Sequence, residues 1–113
     1  MGSMGLFRTT IEVESLERRG ERLPVAEALV DTGSELTWVP RATLEALGVA
    51  VQRTMAFLVA DGRRVERAVG YALVRAGGTE APDFVVFAEP GDRIVLGWRS
   101  LLPTGPIIAA SAA

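Results

Sequence analysis

Residues Asp31-Thr32-Gly33-Ser34 interrupt an apolar path: Ala28-Leu29-Val30 runs into them, and Glu35-Leu36-Thr37-Trp38-Val39-Pro40 leaves them. Aliphatic runs of this kind read as buried strands. An acid, a small hydroxyl residue and a glycine in succession read as a tight turn, because Asp accepts hydrogen bonds from backbone amides just ahead of it and Gly adopts positive φ without strain. The chain must therefore bring two buried strands together and leave a carboxylate where they meet. The tetrapeptide alone leaves two readings open. One is an Asx turn that only ends a strand. The other is an exposed turn that holds Asp31 ready to activate water with a second carboxyl group.

The remaining chain alternates short β-type runs with turn signals. Residues 6–14 alternate apolar and polar side chains, residues 16–20 form a charged hairpin connection ending in Gly20, and residues 23–30 return, with Pro24 near the start where a missing N–H does least harm. A short strand over 36–39 precedes the clearest helix, residues 40–48, with Pro40 at its start, Leu44 and Leu47 on one face and Gly48 at its C-terminal cap. Residues 51–59 and 64–75 read as strands joined by Ala60-Asp61-Gly62-Arg63, since Asp-Gly between β runs signals a hairpin. Gly77-Gly78 marks another turn. A doubly buried strand is expected over 83–88, a loop over 89–92, a buried strand over 93–96, a short helix over 98–102 and a last strand over 106–110, with Ser111-Ala112-Ala113 frayed. Asp83 and Asp92 read as turn residues, Trp38 as core, and Arg63, Arg64 and Arg67 as a solvated face. Many short strands with one helix after the strand pair around Asp31 predict an all-β barrel. Met1-Gly2-Ser3-Met4 reads as an expression scar, and residues 5–113 as one domain.

Three of these segments resemble, in order, the aspartic peptidases, both two-lobed pepsin-like and single-lobed retropepsin-like. Residues 28–40 match the active-site stretch, and Val59-Ala60-Asp61-Gly62-Arg63 matches a flap with a small residue and a glycine near its tip. Val95-Leu96-Gly97 matches the pair of bulky aliphatics before a glycine, with Trp98-Arg99-Ser100-Leu101-Leu102 following as the short helix. The resemblance spans residues 24–102. It implies a closed, retropepsin-like acid-protease barrel with a flap over about residues 55–67 and a short C-terminal helix. It also implies roles: Asp31 as the catalytic acid, Thr32 bonding across a dimer axis, Gly33 letting the backbone turn, and Ser34 donating to the outer oxygen of Asp31. Val95, Leu96 and Gly97 would support the loop from beneath, and Ala60, Asp61 and Gly62 would close over an extended peptide as an added strand. Trp98 stands where retroviral members often carry an arginine that makes dimer salt bridges.

What the chain lacks narrows its chemistry further. It has no Cys, His, Lys or Asn. That excludes Cys–His and Ser–His–Asp nucleophilic catalysis, thiolate or imidazole zinc sites, Schiff-base lysines and the P-loop lysine. No metal and no cofactor are expected. A net charge of −2 with interspersed acids and arginines leaves no nucleic-acid footprint. No apolar run is long enough to span a membrane and no secretory leader pattern is present, so the expected location is the cytoplasm, away from membranes. The 49% hydrophobic share suits a β barrel with a dimer interface.

Asp-Thr-Gly occurs once, and hydrolysis of this type needs two carboxyl groups. One accepts a proton from water while the other, protonated, donates to the carbonyl oxygen; at about 3 Å apart they share one proton. The second must come from another copy of the chain, on the axis of a C2 homodimer. The expectation is an aspartic endopeptidase acting on peptide or protein substrates. The alternatives are a catalytically silent module that kept this fold for dimerisation or peptide binding, and an unrelated small β-barrel.

Overall fold

Period-two burial organises the strands that flank the turn. In β1 (Phe7–Glu14) and β2 (Arg22–Val30), Ile11, Val13, Val25, Ala28 and Val30 face inward. The computed structural model describes residues 7–31, 33–59 and 61–101. The 106–110 strand, residues 1–4, Thr32 and Ala60 lie outside the described residues. Along the chain follow β3 (Thr37–Pro40), α1 (Arg41–Leu47), β4 (Arg53–Leu58), β5 (Arg64–Ala76), β6 (Thr79–Ala88), β7 (Val95–Leu96) and α2 (Trp98–Leu101).

The strands bond in the order β1-β2-β7-β3-β6-β5-β4, and β1 pairs with β5 as well. That extra ladder, Glu12↔Arg75 to Glu14↔Leu73, closes a ring and leaves β4 bonded outside it, to β5. The all-β closed architecture thus agrees with the expectation. Its core holds Ile11, Val39, Leu44, Leu47, Phe87 and Leu96, each at most 1% exposed. Only seven residues long, α1 is held by packing rather than propensity: each fully buried Leu contributes about 1.5–3 kcal/mol. Gly48 ends the helix at φ 76°, donating its N–H back to Glu45.

Two differences from the sequence reading matter for the site. β6 begins at Thr79, four residues before the expected start, despite Pro82. Pro82 is tolerated because β3 joins β6 only from Val85 onward, so this stretch has a ladder on one side alone. Asp83, expected in a turn, is therefore inside a strand and buried. In β2 the register slips between Thr9↔Ala28 and Ile11↔Val25, so Ala26 and Glu27 together face Thr10. This bulge, with Glu27 at φ 61°, bends β2 shortly before Asp31.

The β1–β2 hairpin is closed by a buried carboxylate. Glu14 accepts from Arg19 Nε at 2.7 Å, Gly20 N–H at 2.6 Å and Arg22 Nε at 3.0 Å. Arg19 first, then the Gly20 amide and Arg22, bring the Glu14 carboxyl down to about 2 from its ordinary 4.5. A carboxyl depressed in the folded state stabilises fully above its unfolded value, and that stabilisation is lost as pH falls toward the folded value. Denaturation midpoints measured against pH should therefore fall between about 4.5 and about 2. In Glu14→Gln this part of the fall should be missing, with lower stability at neutral pH.

Candidate active site

β7 is the wedge that builds the Asp31 turn. It runs parallel to β2, with Leu29↔Val95 and Val30↔Leu96, and antiparallel to β3 at Trp38↔Val95, so it lies between the two strands the turn connects. Asp31 N–H donates to Leu96 O at 3.1 Å, and Ser34 N–H closes the turn on Asp31 O at 3.1 Å. Gly33 N–H donates to Asp31 Oδ1 at 2.9 Å and aims the carboxylate. This is an Asx turn, yet Asp31 is only half-buried and lines an open cleft. The turn reading therefore leaves the carboxylate accessible, because one carboxylate oxygen orders the turn while the group still faces solvent.

The glycine of Val95-Leu96-Gly97 is required by close approach. A Cβ on Gly97 would lie 2.5 Å from Leu36 O and 2.7 Å from Glu35 O, closer than any side chain can stand. The first amides of α2 then satisfy the loop carbonyls: Trp98 N–H donates to Ser34 O at 2.9 Å and Arg99 N–H to Glu35 O at 3.2 Å. The Ser34 hydroxyl donates to Leu36 O at 2.9 Å. A hydroxyl has one proton, so the bond expected toward Asp31 is not the one formed here. Arg99 pairs with Glu35 at 3.3 Å, so the guanidinium absent at Trp98 arrives one residue later and bonds within the chain. Both side chains are exposed, so the pair adds little stability.

Beneath the loop lies a polar chain that sequence reasoning missed. Gly97 N–H donates to Thr37 Oγ1 at 3.0 Å, Thr37 and Ser100 hydroxyls meet at 2.6 Å, and the Ser100 hydroxyl donates to Asp83 Oδ2 at 2.8 Å. Asp83 is the acceptor at the end, which fixes the direction: Ser100 gives its proton to Asp83, so Thr37 gives its own to Ser100. Asp83 Oδ1 also accepts Phe84 N–H at 2.7 Å, and Arg99 Nε lies 3.6 Å away. All three side-chain-bearing residues are buried. A chain of donors ending on a charge strengthens each link in a dry interior. The available signal was an acid abutting the unbroken run Phe84-Val85-Val86-Phe87, a place where a turn is hard to fit.

The cleft has a volume of about 1290 Å³. That exceeds the usual range for small-molecule pockets and suits an extended chain. One wall is the Asp31 turn with Val95; the other includes Met55 and Phe57 of the β4–β5 hairpin. Trp38, expected in the core, is half-buried and lines this cleft, meeting the Phe57 ring edge-on at 5.2 Å. At the hairpin end, Gly62 takes φ 90° and donates its N–H to Val59 O at 2.8 Å. Asp61 accepts both Arg63 N–H and Nε, at 3.0 and 2.7 Å, and Arg63 holds its carboxyl below the ordinary range. Arg63 and Arg64 are exposed as expected, but Arg67 is not part of that face. It makes a two-pronged bond to Asp92, at 2.7 and 2.9 Å, and holds that carboxyl below the ordinary range as well.

Among the described residues, no group of three or more acids is placed to hold a metal ion, and no helix is long and apolar enough to cross a membrane. A sequence model of a family described as aspartyl protease matches residues 15–99. Among solved structures, the solution structure of simian foamy virus (mac) protease is similar, with a TM-score of 0.52 and 26% identity over 82% of this chain and 91% of that one. No match is found among curated proteins.

Proposed function

Since this chain belongs to the aspartyl protease family and has the retropepsin-like fold, we propose that it is an aspartic endopeptidase whose carboxyl pair is Asp31 and the same residue of a second copy. One observation carries this reading. Among the described residues, Asp31 is the one aspartate held open at the cleft by backbone bonds, while the other three are bonded to side chains of their own chain: Asp61 to Arg63, Asp83 to Ser100, and Asp92 to Arg67. A C2 dimer brings the two Asp31 turns together and supplies the missing carboxyl group.

Within such a pair, the ionised carboxylate takes a proton from water as the oxygen attacks the scissile carbonyl, and the protonated partner donates to the carbonyl oxygen. Collapse of the tetrahedral intermediate breaks the C–N bond and passes a proton to the leaving amine. The two apparent pKa values belong to the pair, so the rate profile is bell-shaped on the acid side of neutrality. The β4–β5 hairpin serves as the flap, with Asp61 and Gly62 near its tip over an extended peptide. Thr32, Gly33 and Ser34 shape the loop, and Val95, Leu96 and Gly97 support it.

Dilution tests the shared site. Below the dissociation constant, each halving of protein concentration should lower activity per chain about twofold, because the fraction dimeric falls in proportion. Activity per chain that stays constant down to concentrations where sedimentation finds only single chains would sink the proposal. A dimer that binds peptides but cleaves none of a diverse library between about pH 3 and 8 would favour the silent module.

A further inference from the structure

The β4–β5 hairpin leaves the barrel as a two-stranded arm. From Arg64 to Ala68 the ladder of β5 is to β4 alone, and contact with β6 starts at Val69. Two strands by themselves are marginally stable in water, so the pose of such an arm depends on what ties it down. Cross-strand pairs put Met55 opposite Arg67 and Phe57 opposite Val65. These four are the half-buried residues of the alternating pattern, on the face that meets Trp38. Arg67 is the one charged residue among them.

Its partner belongs to a segment that also carries the Asp31 turn. Asp92 accepts both prongs of Arg67 and, on Oδ2, Glu89 N–H at 2.8 Å. The Glu89 carboxylate in turn accepts from Arg41 at the start of α1 at 2.8 Å. Just beyond Asp92, Ile94 O accepts Leu29 N–H at 3.0 Å and Leu96 O accepts Asp31 N–H at 3.1 Å. The arm and the Asp31 turn are thus bonded to the same short stretch, residues 92–96.

We propose that Arg67 and Asp92 form a latch that sets the height of the β4–β5 arm over the cleft, and so act as a positioning pair for peptide binding. The effect on cleavage rests on the peptidase reading above; the latch itself does not. The bidentate fork fixes both distance and angle, which an ammonium at the same place does not do.

Hydrogen–deuterium exchange on the full, peptide-free chain tests it directly. In Arg67→Ala and in Asp92→Ala, the amides of residues 54–58 and 64–68 should exchange about tenfold faster, while those of β1, β2 and β6 keep their protection. The double variant should be no faster than either single one, and Arg67→Lys should fall between wild type and Arg67→Ala. Unchanged arm protection in both single variants overturns the proposal, and so does a loss spread evenly over all strands, which marks a general stabiliser. If the wild type cleaves a fluorogenic peptide library, Arg67→Lys should raise KM severalfold with kcat held; a fall in kcat at constant KM would overturn the positioning role. If nothing cleaves the library, the peptidase reading fails while the exchange result still decides the latch.

Discussion

Asp31→Asn is expected to lose at least about a thousandfold in kcat on any peptide the wild-type protein cleaves, because an amide neither accepts the proton of water nor shares one with a second carboxyl group. The fold should survive the change. Asn has the same shape, and its carbonyl can still accept the Gly33 N–H that now bonds Asp31 Oδ1 at 2.9 Å. The thermal midpoint and the sedimentation profile should therefore stay close to those of the wild type, which separates lost chemistry from lost structure. Undiminished cleavage by the purified variant would remove Asp31 from the mechanism. Mixing the variant in excess with wild-type chains extends the measurement: if each site takes one carboxyl from each copy, mixed dimers are inactive and the activity per wild-type chain falls.

Asp83→Ala should be the most destabilising single change in the polar chain beneath the turn, by about 3 kcal/mol. It removes an acceptor that takes the Ser100 hydroxyl at 2.8 Å and the Phe84 amide at 2.7 Å, and it leaves both donors buried without that partner. For a domain of this size, such a loss lowers the thermal midpoint by roughly 13 °C. Asp83→Asn keeps one acceptor oxygen and the side-chain volume, so it should cost about half as much. A thermal midpoint for Asp83→Ala within about 2 °C of wild type, measured at matched concentration, would show that the chain of donors contributes little. The change should also reach the turn. Gly97 loses its orientation through Thr37, and Gly97 is where the loop carbonyls of Glu35 and Leu36 pack most closely.

Legibility in the sequence followed the range of the interactions. The Asp31 turn, the Gly48 cap of α1 and the Asp61-Gly62 hairpin were readable because each rests on bonds between residues close together in the chain. Boundaries drifted where the partner strand decides. β6 extends back to Thr79 because β5 offers it a ladder, overriding the breaker Pro82. Arg67 and Asp92 looked like solvated and turn residues because nothing local shows that a fold brings positions 25 apart into a two-pronged bond. Trp38 looked like core for the same reason, since its half-exposed place depends on where the β4–β5 hairpin lies.

By itself, then, the sequence determined which chemical groups are on offer: an aspartate on a glycine-bearing turn between buried strands, and no His, Cys or Lys beside it. Residue type and spacing suffice for that, because a turn and a functional group are local properties. Only the tertiary structure decided what holds the carboxylate in place. Asp31 hangs from Leu96, 65 positions away, and Gly97 is fixed by Thr37, Ser100 and Asp83, of which Thr37 and Ser100 stand 63 positions apart. Hydrogen bonds across such distances exist only once the ring of strands has closed and brought β3, β6, β7 and α2 together.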